Sequence, residues 1–139
     1  MIEVREYMDK DLDNVNNILK EAFNVTKKNF KHNNICEVVG LYNGNVCGYL
    51  LLTKVFNPIK DKYYCLVDYV CVSSKYRGLG ISDKMMDYAY SFAKSNDCMY
   101  LQLTCSFYRT SAHKLYERCG YESICRKTLN LFIVYLPHS

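Results

Sequence analysis

Between Tyr63 and Thr104 the chain passes from a β-rich segment into the turn Ser73-Ser74-Lys75-Tyr76-Arg77-Gly78-Leu79-Gly80. A helical stripe of Ile81, Met85, Ala89, Phe92 and Ala93 follows, and then the alternating segment Met99 to Thr104. A strand, a glycine turn, a helix and a strand in this order support a parallel crossover, which calls for a sheet with a helix packed on its face. The turn is also a physical anion site. Backbone N–H groups at a helix N-terminus have no partner within the helix, and the helix dipole favours negative charge there. Gly78 and Gly80 allow positive φ and close approach of a ligand to the backbone, while Lys75 and Arg77 add positive charge. Taken alone, the pattern is equally a plain strand-to-helix connection with turn glycines.

The flanking sequence extends the sheet. Ile2 to Glu6 reads as a short strand. Asp11 reads as an N-cap before the helical stripe Leu12, Val15, Ile18, Leu19, Ala22 and Phe23. Val25 to Asn34 is polar and reads as a loop or a short second helix. Cys36 to Tyr42 and Val46 to Phe56 are β-rich runs joined by the hairpin signal Asn43-Gly44-Asn45. Ala112, Leu115, Tyr116 and Cys119 mark a short helix that Gly120 stops, and Tyr121 to Cys125 and Thr128 to Leu136 read as two final strands. The expected fold is α/β, with a mixed central sheet of about seven strands flanked by about four helices. With 139 residues, residues 1–139 form one domain.

Composition excludes several classes. A net charge of +4 suits an anionic ligand but falls short of a nucleic-acid-binding footprint. No apolar run approaches the ~20 residues of a membrane span. The eight cysteines form no Cys-x-x-Cys pair and no Cys/His cluster at zinc spacing, so no metal site is expected. Several lie in apolar runs, as in Val70-Cys71-Val72. With no export signal at the start of the sequence, they are expected to be reduced core thiols of a cytoplasmic protein.

A phosphate ligand is then narrowed by elimination. No Gly-Lys-Ser/Thr follows the turn, so the P-loop pattern fails, and position 83 is Asp, so Gly-x-Gly-x-x-Gly fails as well. The segment Val70-Cys71-Val72-Ser73-Ser74-Lys75-Tyr76-Arg77-Gly78-Leu79-Gly80-Ile81 resembles motif A of the GCN5-related N-acetyltransferases (GNAT), Arg/Gln-x-x-Gly-x-Gly/Ala after a strand, with Lys75 departing from the first position. Ala112-His113-Lys114-Leu115-Tyr116-Glu117-Arg118-Cys119-Gly120-Tyr121 resembles motif B at the family's usual separation. The order of elements from Ile2 to Leu136 matches too.

The resemblance implies an N-acetyltransferase that uses acetyl-coenzyme A as co-substrate and acetylates a primary amine directly in a ternary complex. It implies that the strand before the loop splays from its neighbour and that Val70, Cys71 and Val72 pair with the pantetheine arm through their backbones. The pyrophosphate then falls on the amides of Arg77, Gly78, Leu79, Gly80, Ile81 and Ser82, with the Asp83 side chain turned away. Arg109 is implied either as a contact to the coenzyme A phosphates or as a cap on local carbonyls. Tyr116 matches the family tyrosine that protonates the departing thiolate, while its spacing equally fits a core tyrosine. Asp68 matches a position at which a carboxylate deprotonates the amine, or is a surface acid paired with a lysine. His113 falls off the apolar stripe and is expected to face solvent.

The acceptor is expected between Phe23 to Asn34 and Phe56 to Tyr63, and the sequence does not identify it. A non-catalytic acyl-coenzyme A sensor and a phosphate- or nucleic-acid-binding protein are the rival classes. The long apolar segment Leu129 to Leu136 is expected to present a sheet edge on which a homodimer pairs.

Overall fold

The computed structural model describes residues 1–106, 110–125 and 129–137, and the side chains of all of these except 104–106, 110–111, 124–125 and 129–130. The strands are β1 (Ile2–Glu6), β2 (Ile35–Tyr42), β3 (Asn45–Asn57), β4 (Lys62–Val72), β5 (Tyr100–Ser106), β6 (Glu122–Cys125) and β7 (Leu129–Tyr135). The helices are α1 (Leu12–Phe23), α2 (Ile81–Ser95) and α3 (Thr110–Arg118), with short 3-10 turns at Asp9–Asp11 and Ser74–Tyr76. The seven strands form one sheet in the order β1-β2-β3-β4-β5-β7-β6. Among the described residues, only β4 and β5 run parallel, joined by the crossover through α2, and the other neighbours are antiparallel. The expected mixed sheet is therefore present.

Each face of the sheet buries its own core. On one face, α2 and α3 cover Val38, Leu50, Leu52, Val67, Leu101 and Phe132 with Ile81, Met85, Met86 and Leu115. On the other, Val15, Ile18 and Leu19 of α1 pack against Val39, Tyr49 and Cys71. The β2–β3 hairpin turns at Asn43 (φ 49°) and Gly44 (φ 84°), the two positive angles that a tight hairpin turn requires. Gly120 (φ 92°) follows α3 as expected of a helix stop.

Of the two readings of Val25 to Asn34, loop or short helix, the loop is the one found. Asn24 adopts φ 56° and ends α1. The Asn16 side chain then bonds both backbone groups of Lys27, donating to its carbonyl (3.1 Å) and accepting from its N–H (2.7 Å). Those are the groups a helix would have used. Asp11 stands at the start of α1, but its carboxylate accepts from the Met8 amide (2.9 Å) and from both terminal nitrogens of Arg5 (2.8 and 3.1 Å) rather than capping α1.

β7 does not present the sheet edge expected for a homodimer. β7 pairs with β5 on one side and β6 on the other, so the long apolar strand is interior and the outer strand is the four-residue β6. Among the described residues, Cys36, Cys47, Cys65, Cys98 and Cys119 are free thiols, and the Cys71 thiol donates to the Tyr49 carbonyl (3.8 Å). Burial pushes Cys65 up to about 12 and Cys36 and Cys119 up to about 11, so these thiols stay protonated at neutral pH. No helix among the described residues is long and apolar enough to cross a membrane.

Candidate functional site

The site begins where β4 and β5 part. Their parallel pairing covers only Cys65 with Leu101 and Leu66 with Gln102. Beyond that point β5 stays with β7 as far as Ser106 opposite Leu129. β4 stays with β3, and its edge from Val67 to Val72 has no pairing with β5. Unpaired backbone groups in such a fork are available to an extended ligand, since buried N–H and C=O groups need partners. Val70, Cys71 and Val72 lie on the β4 arm of the fork.

A bulge shapes that arm. Tyr49 pairs with Cys71 while Leu51 pairs with Asp68, so β4 holds one more residue than β3 between these pairs. Tyr69 takes up the insertion with φ 55°, an angle rare for a bulky residue. The bulge breaks strict alternation. Asp68, opposite Leu51, and Cys71, opposite Tyr49, both belong to the α1 side, although they are an odd number of residues apart.

β4 runs directly into the glycine turn. Gly78 (φ 77°) and Gly80 (φ 89°) are left-handed, and Gly80 sits at the N-cap of α2 with no side-chain cap bond. A Cβ on Gly78 would meet nothing within 4 Å, so the backbone there is open to a ligand. A concavity of about 260 Å³ is lined by Val72, Tyr76, Arg77, Gly78, Ser82 and Arg118, among others. Asp83 also borders it, and its carboxylate is held by Arg118 Nη2 at 3.0 Å. The loop is braced from the opposite face of the sheet: Glu21 of α1 accepts from the Ser74 N–H (2.8 Å) and the Ser74 hydroxyl (2.9 Å). These bonds, the backbone one foremost, hold the Glu21 carboxyl below its ordinary range.

The structure brings the fork, the bulge and the glycine turn into one continuous path along β4. Asp68 is half-buried on it, and desolvation raises its pKa. Tyr116 is buried on α3, with its ring edge-on to Phe132 (5.3 Å) and tilted against Tyr121 (6.3 Å). His113 is half-buried, with its ring 5.3 Å from Phe132 of β7, rather than in solvent. Arg109 lies outside the described residues. Among the described residues, no group of three or more His, Cys, Asp or Glu side chains could hold a metal ion.

Sequence reasoning missed three participants. Tyr69 carries no local signal for its bulge. Arg118 and Glu21 act across 35 and 53 residues of sequence, on Asp83 and Ser74 respectively.

Of the two segments between which the acceptor is expected, the one that follows α1 borders a cavity. A cavity of about 410 Å³ lies between the segment that follows α1 and the β2–β4 face, walled by residues including Leu19, Val25, Phe30, Leu51 and Tyr69. The connection from Phe56 to Tyr63 does not contribute. It closes the opposite end of the β3–β4 hairpin, and its last residue, Tyr63, stands six strand residues or roughly 20 Å from Tyr69.

The sequence profile of the acetyltransferase (GNAT) family matches residues 3–121. No curated protein matches the chain in sequence. Solved structures share its fold at low identity. Arabidopsis thaliana NAA60 in complex with acetyl-CoA superposes with a TM-score of 0.82 at 14% identity, covering 98% of this chain and 99% of that one. A Bacillus anthracis streptothricin acetyltransferase in complex with acetyl coenzyme A gives 0.78 at 18% identity over 98% and 100%. A transcriptional regulator from Bacillus halodurans gives 0.80 at 19% identity over 91% and 97%.

Proposed function

The chain belongs to the acetyltransferase (GNAT) family, and from that premise we propose that residues 1–139 form one catalytic domain that moves an acetyl group from acetyl-CoA to a primary amine. The observation that carries this reading is the fork between β4 and β5, which leads along the bulged strand into the uncapped N-terminus of α2. An extended arm with amide groups fits the open edge of Val70, Cys71 and Val72. A pyrophosphate fits the amides from Arg77 to Ser82, where the helix dipole and Arg77 favour negative charge. The Asp83 carboxylate that borders the cradle is paired with Arg118, which offsets its charge and sets a second cation at the rim. That two structural neighbours were solved with acetyl-CoA supports the choice of donor.

In the proposed reaction the amine nitrogen attacks the thioester carbonyl, and the C–S bond breaks as the C–N bond forms. Asp68 takes the proton lost by the amine, and the Tyr116 hydroxyl gives one to the thiolate. A buried carboxyl with a raised pKa is better matched to accepting a proton near neutral pH than an ordinary one. Holding both substrates on one path supplies much of the rate, since attack becomes effectively unimolecular. Free thiols suit a reducing compartment, so we place the reaction in the cytoplasm.

A non-catalytic acyl-CoA sensor is the second reading. The packing of Tyr116 among Phe132 and Tyr121 favours it, as does the shared fold with a transcriptional regulator. A thiol-release assay with acetyl-CoA across amine classes separates the two. Amine-dependent release supports transfer, and tight binding without release for any amine supports the sensor.

A further inference from the structure

The cavity beside the bulge has a distinct chemistry. Its walls are mostly apolar, formed by Leu19, Val25, Phe30, Ile35, Leu51 and Tyr69. Three of these are unusually open for their type: Val25 is 40% exposed, Phe30 67% and Tyr69 47%. Exposed apolar side chains gathered around one concavity mark a binding site rather than a solvated surface. The volume of about 410 Å³ falls among those of small-ligand pockets and admits a leucine- or phenylalanine-sized group.

Charge narrows the occupant. Glu37 is the one acid among the lining residues. Its Oε1 already accepts from the Tyr49 hydroxyl (2.7 Å) and faces Lys27 Nζ at 3.1 Å, an ion pair without hydrogen-bond alignment. Lys27 Nζ also lies 4.0 Å above the Tyr7 ring. Asn16 fixes the Lys27 backbone, so this arrangement is part of the folded wall. Lys28 adds a second cation to the lining. A positively charged side group entering here meets two lysines and, among the described lining residues, an acid already paired with one of them. Asp68 lies just beyond, opposite the wall residue Leu51 and adjacent in sequence to Tyr69. It is the carboxylate next to this wall on β4, placed to receive the reacting ammonium.

We propose that the acceptor is a primary amine whose neighbouring carbon carries an uncharged apolar or aromatic group, seated between Phe30, Val25 and Tyr69 with the amine directed to Asp68, and that polycationic amines are rejected. This rests on the acetyl-transfer reading above. The same chemistry is offered by a small hydrophobic amine and by a polypeptide amino terminus that begins with an apolar residue.

The test is steady-state thiol release from acetyl-CoA with leucine amide, phenethylamine, a tetrapeptide beginning with leucine, and 1,4-diaminobutane. It is paired with calorimetric titration of the same amines into the coenzyme A complex. The apolar amines are expected to exceed 1,4-diaminobutane by at least about tenfold in kcat/KM, the discrimination available to an apolar pocket. Phe30→Ala is expected to lower the apolar amines alone, and Val25→Asp to narrow or reverse the ranking. Both side chains are partly exposed, so the fold tolerates these changes. A peptide that outperforms leucine amide assigns a polypeptide source, and the reverse assigns a small amine.

Transfer to 1,4-diaminobutane as good as to the apolar amines, or a ranking indifferent to Val25→Asp, overturns the acceptor class and leaves acetyl transfer standing. If acetyl-CoA binds without turnover, the calorimetric ranking decides the pocket by itself. Failure to bind acetyl-CoA at all removes both readings.

Discussion

Gly40 lies opposite Gly48 across β2 and β3, and the space the pair leaves is filled by Ile81 and Met85 from the first turns of α2. A Cβ on Gly40 would stand 2.7 Å from Ile81 Cγ2, and one on Gly48 would stand 3.0 Å from Met85. α2 can therefore approach the sheet closely at the end that carries the glycine turn. Gly40→Ala should push that end outward. We expect a loss of about 1–3 kcal/mol from overpacking, read as a lower denaturant midpoint, together with weaker acetyl-CoA binding. An unchanged midpoint would show that α2 gives way freely and does not depend on the glycine pair.

The burial of Asp68 has two consequences of definite sign. Its folded pKa is raised by desolvation, so the carboxylate that the proposed reaction requires appears only as pH climbs through that raised value. The acid limb of kcat/KM should therefore lie above the ordinary carboxyl range. Asp68→Asn should abolish the limb and lower the rate by roughly 10²–10⁴, the usual size of a general-base contribution. The folded state also holds the Asp68 proton more tightly than the unfolded chain does. Ionised Asp68 thus costs stability above the unfolded carboxyl value, and Asp68→Asn should be the more stable protein at neutral pH. A variant that keeps the wild-type limb removes Asp68 from the reaction.

Tyr116→Phe keeps the ring against Phe132 and Tyr121 and removes only the hydroxyl. If the phenol protonates the thiolate, kcat should fall by roughly 10²–10⁴ with acetyl-CoA affinity retained. A kcat equal to wild type for every accepted amine assigns Tyr116 to the core alone.

Asp11 is 3% exposed and accepts three hydrogen bonds, from Arg5 twice and from the Met8 amide. The Arg5 bond is the main cause of its lowered pKa. The stabilisation is present above the unfolded carboxyl value and is lost as pH falls through the lower folded one. Asp11→Asn should cost roughly 1–3 kcal/mol at neutral pH, where it leaves buried partners poorly satisfied. Denaturant curves of the two proteins should converge in strong acid, where both side chains are uncharged. A gap that persists there points to shape rather than charge.

The sequence was informative where local chemistry decides. Glycines at 78, 80 and 120 mark positions with positive φ, and Asn43-Gly44 marks the hairpin. The stripes of α1 and α2 place their cores on opposite faces of the sheet. It was silent where a distant partner decides. The polar composition of Val25 to Asn34 leaves helix and loop open, and Asn16 resolves the matter by taking the Lys27 backbone groups. Period-two reading fails at the bulge, so the side of the sheet that Asp68 shares with Cys71 could not be read from alternation. The apolar run from Leu129 resembles an edge strand in isolation, but its position between β5 and β6 is a property of strand order.

The most direct test follows backbone amide resonances of the isotope-labelled protein during titration with acetyl-CoA. Saturable shifts are predicted at Val70, Cys71 and Val72 on the fork and at Gly78, Gly80 and Ser82 in the turn, with the β6 amides unmoved. No saturable shift at these residues, or saturation confined to another part of the sheet, would contradict the donor site.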